Sequence, residues 1–353
     1  NILKNKDIDD DIAIGFYLIK GMNNLVLNCD AHDNYDGYSE GDSGNVDGFG
    51  GHANKETSTG NIFRGCRAWN NGDDGFDLIN CYASYIIEYC WSFRNGYKPH
   101  SIESSGGNGA GFKSGGYGMG DIKKVPNPIP QHTVRYCLAY YNRQQGFYSN
   151  HHLGGLIFEN NTAYKNPSNY NMLNRKSSNE AVDVPGYGHI IKNNLSLSPR
   201  NSGGFPQHLI NVDNTLSEIK NNSFAPNDLN LSESDFESLN EQELMGSRKS
   251  DGSLPDINFL RLTNHANFRF SGMGCFINEE AVDYSWIQEP AIVLENGVAR
   301  IVGEDSKSFN KFYVNGEEVS IENGIVDLTS MSGELNLKAI SENGAVTTLI
   351  INK

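Results

Sequence analysis

One pattern recurs seven times in the first two thirds of the chain. It appears when the sequence is aligned on Cys29, Cys66, Cys90, Cys137, Asn161, Asn194 and Asn222. Three positions before each anchor stand Val26, Phe63, Ile87, Val134, Phe158, Ile191 and Ile219, all apolar. Two positions after it stand Ala31, Ala68, Ser92, Ala139, Ala163, Ser196 and Phe224, six of them Ala or Ser. Five positions after it stand Asn34, Asn71, Asn95, Asn142, Asn166, Pro199 and Asn227, six of them Asn. Successive anchors are 37, 24, 47, 24, 33 and 28 residues apart. A fixed pattern at variable spacing describes equivalent rungs that carry loops of different length, with 24 residues as the bare rung.

Short strands with Asn turns, repeated in this way, predict a right-handed parallel β-helix. Its rungs stack at the ordinary strand spacing of about 4.8 Å. The anchors share strand parity with the Ala/Ser positions, so both sets point inward. Cys29, Cys66, Cys90 and Cys137 are therefore expected as free thiols in the core, not as disulfides, because a buried Cys behaves as a small hydrophobe. No pair of the six cysteines has the C-x-x-C spacing of a zinc site. The 47-residue interval leaves room for a hidden extra rung.

The texture changes twice. The helix is expected over 1–225. It starts without a visible N-terminal cap, so earlier rungs are expected before it. Residues 226–289, with Leu229, Leu231, Phe236, Leu239 and Leu244 among acids, read as a covering segment with short helices. Residues 290–353 carry Asn-Gly at 296, 315, 323 and 343 between alternating runs such as Lys311–Val314 and Thr347–Ile351. That is a hairpin signal, and it predicts a small antiparallel β domain.

A Gly-Phe step recurs on another side of each rung. It is found in Asp47-Gly48-Phe49-Gly50, Asp74-Gly75-Phe76-Asp77, Ala110-Gly111-Phe112-Lys113 and Gln145-Gly146-Phe147-Tyr148. The Phe residues form a second inward stack, and their neighbours face outward on one surface. Asp47, Asp73, Asp74 and Asp77 then crowd into two rungs, where like charges repel unless a cation lies between them. Calcium accepts several oxygen ligands in loose geometry and suits such a set. The alternative is an Asp-rich turn over Asn70–Gly75. Lys113 follows on the next rung among glycines that would let a ligand approach closely. Beside a bound cation its pKa would fall, giving a general base. Otherwise it neutralises Asp77.

Taken together, these stretches resemble the family 9 polysaccharide lyases, pectin-cleaving parallel β-helix enzymes. The resemblance rests on Asn45–Phe49, Gly65–Asn70, Asp73–Asp77 and Asn108–Gly116, and covers about residues 10–260. It implies calcium ligands Asp47, Asp73, Asp74 and Asp77, with Lys113 as the base in β-elimination at a galacturonate. It implies an acidic pectic polysaccharide as substrate, with rhamnogalacturonan-I favoured over homogalacturonan because few basic residues surround Lys113. A secreted, periplasmic or cell-surface location follows from the polymer. Arg143, Tyr148, His151, His152 and Lys55 are the expected sugar contacts. The aromatic, His-rich run 146–152 departs from the family's pattern, and the tail after residue 270 has no clear counterpart in it.

Net charge is -15 over 353 residues, which argues against a nucleic-acid partner, since counterion release needs a basic surface. Mean hydropathy is -0.51, and no apolar run reaches the ~20 residues of a membrane span. A monomer is expected. Two other classes remain open: a non-catalytic calcium-dependent carbohydrate-binding β-helix, and a hydrolase of the polygalacturonase type, which needs paired carboxylates and no essential lysine.

Overall fold

A computed structural model describes residues 13–37, 44–117, 125–200, 207–224, 229–276, 291–295, 297–302, 306–322, 324–342 and 344–353. The repeat folds into a right-handed parallel β-helix. Each rung contributes one short strand to each of three parallel sheets. Phe49–Gly51, Asn61–Arg64 and Arg67–Trp69 make one such rung; Phe76–Asp77, Tyr85–Glu88 and Trp91–Phe93 make the next.

The inward columns match the letter columns of the sequence. In the first sheet Phe16, Phe49, Phe76, Phe112, Phe147 and Tyr170 lie in register. Their rings stack at centroid separations of 5.0, 4.8, 5.0, 5.0 and 4.9 Å. The sequence pattern caught four of these six. Phe16 and Tyr170 extend the stack without the Gly-Phe signature common to the other four. Burying each ring contributes about 1.5–3 kcal/mol, with a further ~0.5–1.5 kcal/mol per stacked pair. In the second sheet Val26, Phe63, Ile87, Val134, Phe158, Ile191 and Ile219 are aligned.

All six cysteines are free. Four of them line the turn between second and third sheets, where Asn161, Asn194 and Asn222 continue the column. The Asn194 side-chain carbonyl accepts from both the backbone and side-chain N–H of Asn161, at 2.9 and 3.1 Å. A second ladder runs Asn34, Asn71, Asn95, Asn142, Asn166, with side-chain links of 2.8, 2.9, 3.0 and 3.1 Å. Asn169 of the same rung closes it at 3.1 Å. Each link satisfies a buried amide and contributes about 0.5–1.5 kcal/mol net.

The residue before each anchor is left-handed: Asn28, Gly65, Tyr89, Tyr136, Asn160, Asn193 and Asn221 have φ between 51° and 65°. This column makes the two-residue corner between the sheets. The 47-residue interval holds a single rung, because Trp91–Phe93 pairs directly with Leu138–Tyr140.

The described chain divides into two compact units, 1–261 with 273–277, and 262–272 with 278–353. Residues beyond 225 remain with the helix through two arginines. Arg67 bonds the Asp30 carboxylate and the carbonyls of Leu244 and Gly246. Arg248 bonds Asp30 and the carbonyls of Cys29, Gly65 and Gly252. Short 3-10 helices lie at Glu233–Asp235 and Glu241–Met245.

The second unit holds a short α-helix, Asn264–Arg269, and two antiparallel sheets of three and four strands around a core that includes Ile292, Phe312, Val326 and Leu337. At Asn315-Gly316, φ values of 51° and 91° make the expected primed hairpin turn between Phe309–Val314 and Glu317–Val319. Asn296, Asn323 and Asn343 lie outside the described residues.

Candidate active site

The outward face of the first sheet sets the site. Asp77, Lys113 and Tyr148 occupy one register line on successive rungs. The glycine before each Phe is required by the stacking: a Cβ on Gly75 would lie 2.0 Å from Ser92 Oγ and 2.8 Å from the Gly111 carbonyl. A Cβ on Gly111 would lie 2.7 Å from the Gly146 carbonyl. The glycines after Lys113 were expected to admit a ligand. They pack inward instead: a Cβ on Gly115 would meet His152 at 2.6 Å, and one on Gly116 the Asn150 carbonyl at 2.0 Å.

Asp47, Asp73, Asp74 and Asp77 are all buried, at 2%, 1%, 0% and 4% exposure. Among the described residues, one oxygen each of Asp47, Asp74 and Asp77 lies within 4.8 Å of the others. Asp73 stands outside that trio; its Oδ1 accepts the amides of Asn108 and Gly109. Asp74 Oδ1 accepts Ala110 N–H at 2.6 Å, and Asp47 Oδ1 accepts Asp74 N–H at 2.9 Å. The 94–111 loop thus supplies backbone donors to the acids.

Lys113 is 7% exposed, and its Nζ lies 2.9 Å from Asp77 Oδ2 and 3.0 Å from Asp74 Oδ2. Burial draws the ammonium down, but the carboxylates of Asp74, Asp77, Asp73 and Asp47 outweigh it and hold its pKa well above an ordinary lysine's. The lowered pKa expected for a base is therefore not a property of this cation-free arrangement. Burial and the charges of Asp73, Asp77 and Asp74 push the Asp47 carboxyl well up. Burial and Asp74 do the same to Asp73. Asp74 is raised by burial, against the opposing pull of Lys113.

Four carboxylates around one ammonium leave a local excess of negative charge. The donor set is hard oxygen, and Asp74 Oδ2 has no hydrogen-bond partner among protein donors, only the Lys113 charge. These features fit a calcium ion held by Asp47, Asp74 and Asp77.

His52 was not anticipated. Its Nε2 is buried without a hydrogen-bond partner, 3.9 Å from Asp77 Oδ2, and its Nδ1 meets Tyr17 OH at 3.1 Å. Burial keeps it neutral against the pull of Asp77. Strand alternation carries the signal: Phe49 points in, so the positions one and three residues later face out with Asp77.

The expected sugar contacts separate. Tyr148 is half-buried, and its OH lies 3.0 Å from His151 Nε2. His151 Nδ1 lies 2.6 Å from Asp183, which is carried in by the hairpin of Asn174–Ser177 and Glu180–Val184. Arg143 is half-buried; Nη2 donates to the Gly107 carbonyl at 2.5 Å, and Nε is buried without a partner. Lys55 is exposed in the turn after Phe49–Gly51. His152 is a correction. It is 1% exposed, accepts Gly116 N–H at 3.1 Å and donates to the Pro130 carbonyl at 2.9 Å, so no face remains for a sugar.

Residues 1–217 match the family described as "Pel9A-like, right handed beta helix region". Residues 213–348 match "Rhamnogalacturonan lyase-like, C-terminal", so the tail after residue 270 does have a counterpart. A solved structure of a rhamnogalacturonan lyase is 56% identical with TM-score 0.70, covering 75% of this chain and 63% of that one. The crystal structure of pectate lyase Pel9A is 32% identical with TM-score 0.58, covering 75% of this chain and 62% of that one. Pectate lyase L of Dickeya chrysanthemi is 35% identical over 265 residues, 75% of this chain and 54% of its own length. The chain thus spans about half the length of the curated pectate lyase L. No helix among the described residues is long and apolar enough to cross a membrane. On these matches, and on the fold that carries them, the chain belongs to the Pel9A-like right-handed β-helix family of pectic polysaccharide lyases.

Proposed function

We propose that this protein cleaves galacturonate-containing chains by calcium-assisted β-elimination, with rhamnogalacturonan-I as substrate. The observation that carries the reading is Lys113 Nζ, buried within 3.0 Å of two carboxylates of a four-acid cluster, on a register line that faces outward. The 56% identity to a protein named rhamnogalacturonan lyase, against 35% to pectate lyase L, favours that polymer over homogalacturonan.

In this mechanism Asp47, Asp74 and Asp77 hold the ion, and Asp73 orders the loop that feeds amides to the cluster. Calcium there supplies positive charge that stabilises the anion developing at a galacturonate and relieves Lys113 of its anionic neighbours. Lys113, as the free amine, takes the C5 proton. The electron pair forms the C4–C5 double bond, the C4–O bond breaks, and a 4,5-unsaturated sugar remains. Arg143, Tyr148, His151 and Lys55 contact the sugars, with His151 fixed by Asp183. Residues 1–225 form the catalytic body, 226–289 its covering segment and 290–353 a small β domain. A monomer secreted to the polymer, with no nucleic-acid partner, completes the reading.

The test is ultraviolet absorbance of the unsaturated product on rhamnogalacturonan-I and on polygalacturonate, with calcium and with chelator. Lys113→Ala is run alongside. Calcium-dependent absorbance on the first polymer, lost in the variant, is the expected result. Absorbance on polygalacturonate alone reassigns the substrate. Silence on both, with calcium binding retained, replaces the lyase with a carbohydrate-binding β-helix.

A further inference from the structure

A groove of about 340 Å³ lies at the corner between the second and third sheets, away from the register line of Lys113. One wall is Tyr89, stacked on Tyr136 at 4.8 Å between centroids and 9° between planes. Both belong to the left-handed corner column, which elsewhere holds Asn or Gly. The rung before Tyr89 places Gly65 in that column, so no side chain covers the ring on that side. Tyr89 is 44% exposed.

Charge gathers around this wall. Arg64 and Arg135 both bond the buried Glu88. Lys249 and Arg261 line the groove, and Asp256 pairs with Lys249. Four cations and two carboxylates leave the corner at 4 − 2 = +2, on a chain whose net charge is -15. A flat ring face beside surplus guanidinium charge suits a pyranose that carries a carboxylate.

We propose that this corner is a second polysaccharide-binding site, which holds a uronate-containing stretch of acidic glycan while the acidic cluster acts elsewhere on the polymer. Sugar stacks on the Tyr89 ring over Gly65, and a uronate carboxylate meets Arg64. The choice of acidic glycan rests on the pectic reading above; the groove and its charge do not.

The test is affinity electrophoresis of the full chain in native gels, with calcium. The gels contain rhamnogalacturonan-I, polygalacturonate or neutral galactan, and Lys113→Ala is the background to prevent cleavage. Tyr89→Asn removes the ring but installs the residue the column prefers, so its melting temperature should match or exceed the parent's. Tyr89→Asn is expected to weaken retardation by an acidic polymer about tenfold, the scale of one lost aromatic contact. Arg64→Gln is expected to weaken it and to flatten its salt dependence. With Lys113 intact, Tyr89→Asn should leave turnover of short oligosaccharides unchanged. Unchanged retardation in a folded Tyr89→Asn variant overturns the proposal. So does equal retardation by neutral galactan, or a Tyr89-dependent dimer in sedimentation with retardation unaltered. If the lyase reading itself fails, no unsaturated product forms from the Lys113 protein, while the retardation result stands or falls separately.

Discussion

Lys113 is the single cation inside a cluster of four buried carboxylates, and removing it should be far more costly without calcium than with it. In Lys113→Ala the oxygens of Asp74 and Asp77 lose the ammonium 3.0 and 2.9 Å away. Deleting one partner of a buried ion pair costs about 3–5 kcal/mol, because the remaining charge is left uncompensated. At about 2–4 °C per kcal/mol, scaled from somewhat smaller domains, the melting temperature in chelator at pH 8 should fall by roughly 6–20 °C. Two conditions should shrink the loss. Millimolar calcium replaces the missing charge, and the gap should close to about 1 kcal/mol or less. Acid does so as well. Asp47, Asp73 and Asp74 have raised folded pKa values, so their protonated forms suit the fold at low pH, and the penalty appears only as pH rises through those values. Thermal denaturation of both proteins, with calcium or chelator at pH 5 and pH 8, tests the whole chain of reasoning. Equal stability in chelator at pH 8, or a deficit that calcium leaves untouched, would refute it.

Three further expectations follow from the packing. His152 and His189 are buried neutral, with pKa pushed down to about 4 and about 3 by burial. Each free imidazole titrates near 6.5 when unfolded, so stability should be full above that pH and fall as pH drops toward 4, by about 3 kcal/mol for His152. Ring signals that titrate near 6.5 in the native protein would contradict this. Gly75→Ala should destabilise by about 1–3 kcal/mol, while Gly154→Ala, whose nearest neighbour is a flexible Ile129 methyl at 3.4 Å, should cost under about 0.5 kcal/mol. Comparable urea midpoints for the two would refute the stacking argument. Thiol titration should give six free groups in denaturant, with half-buried Cys29 the first to react in the native state; fewer than six would mean a disulfide.

The rungs were legible because a β-helix turns spatial columns into letter columns. Phe49, Phe76, Phe112 and Phe147 could be read as one stack from their shared neighbours, and so could the acids beside them. What was missed lies where alternation breaks or a loop intervenes. Asn150 and His151 are both left-handed, with φ of 53° and 57°, and this reverses the sense of the chain and turns His152 inward. No spacing in the sequence encodes the hairpin that brings Asp183 to His151. His52 was in principle readable from parity but carried no repeat to flag it. Asp73 was grouped with its neighbours by adjacency, whereas its carboxylate serves the amides of Asn108 and Gly109.

The register line of Asp77, Lys113 and Tyr148 works as a ruler. Backbone hydrogen bonds and the Phe stack fix its graduations, and the loops between strands, however long, leave them where they are. The chemistry along the face is therefore a string of letters at set marks, and an acid and a base one mark apart stay one rung apart. Exchanging Lys113 and Tyr148 would move the amine one mark further from Asp77 while leaving the core in place. A fold of this kind can revise its reaction by respelling a column, without relocating a single strand.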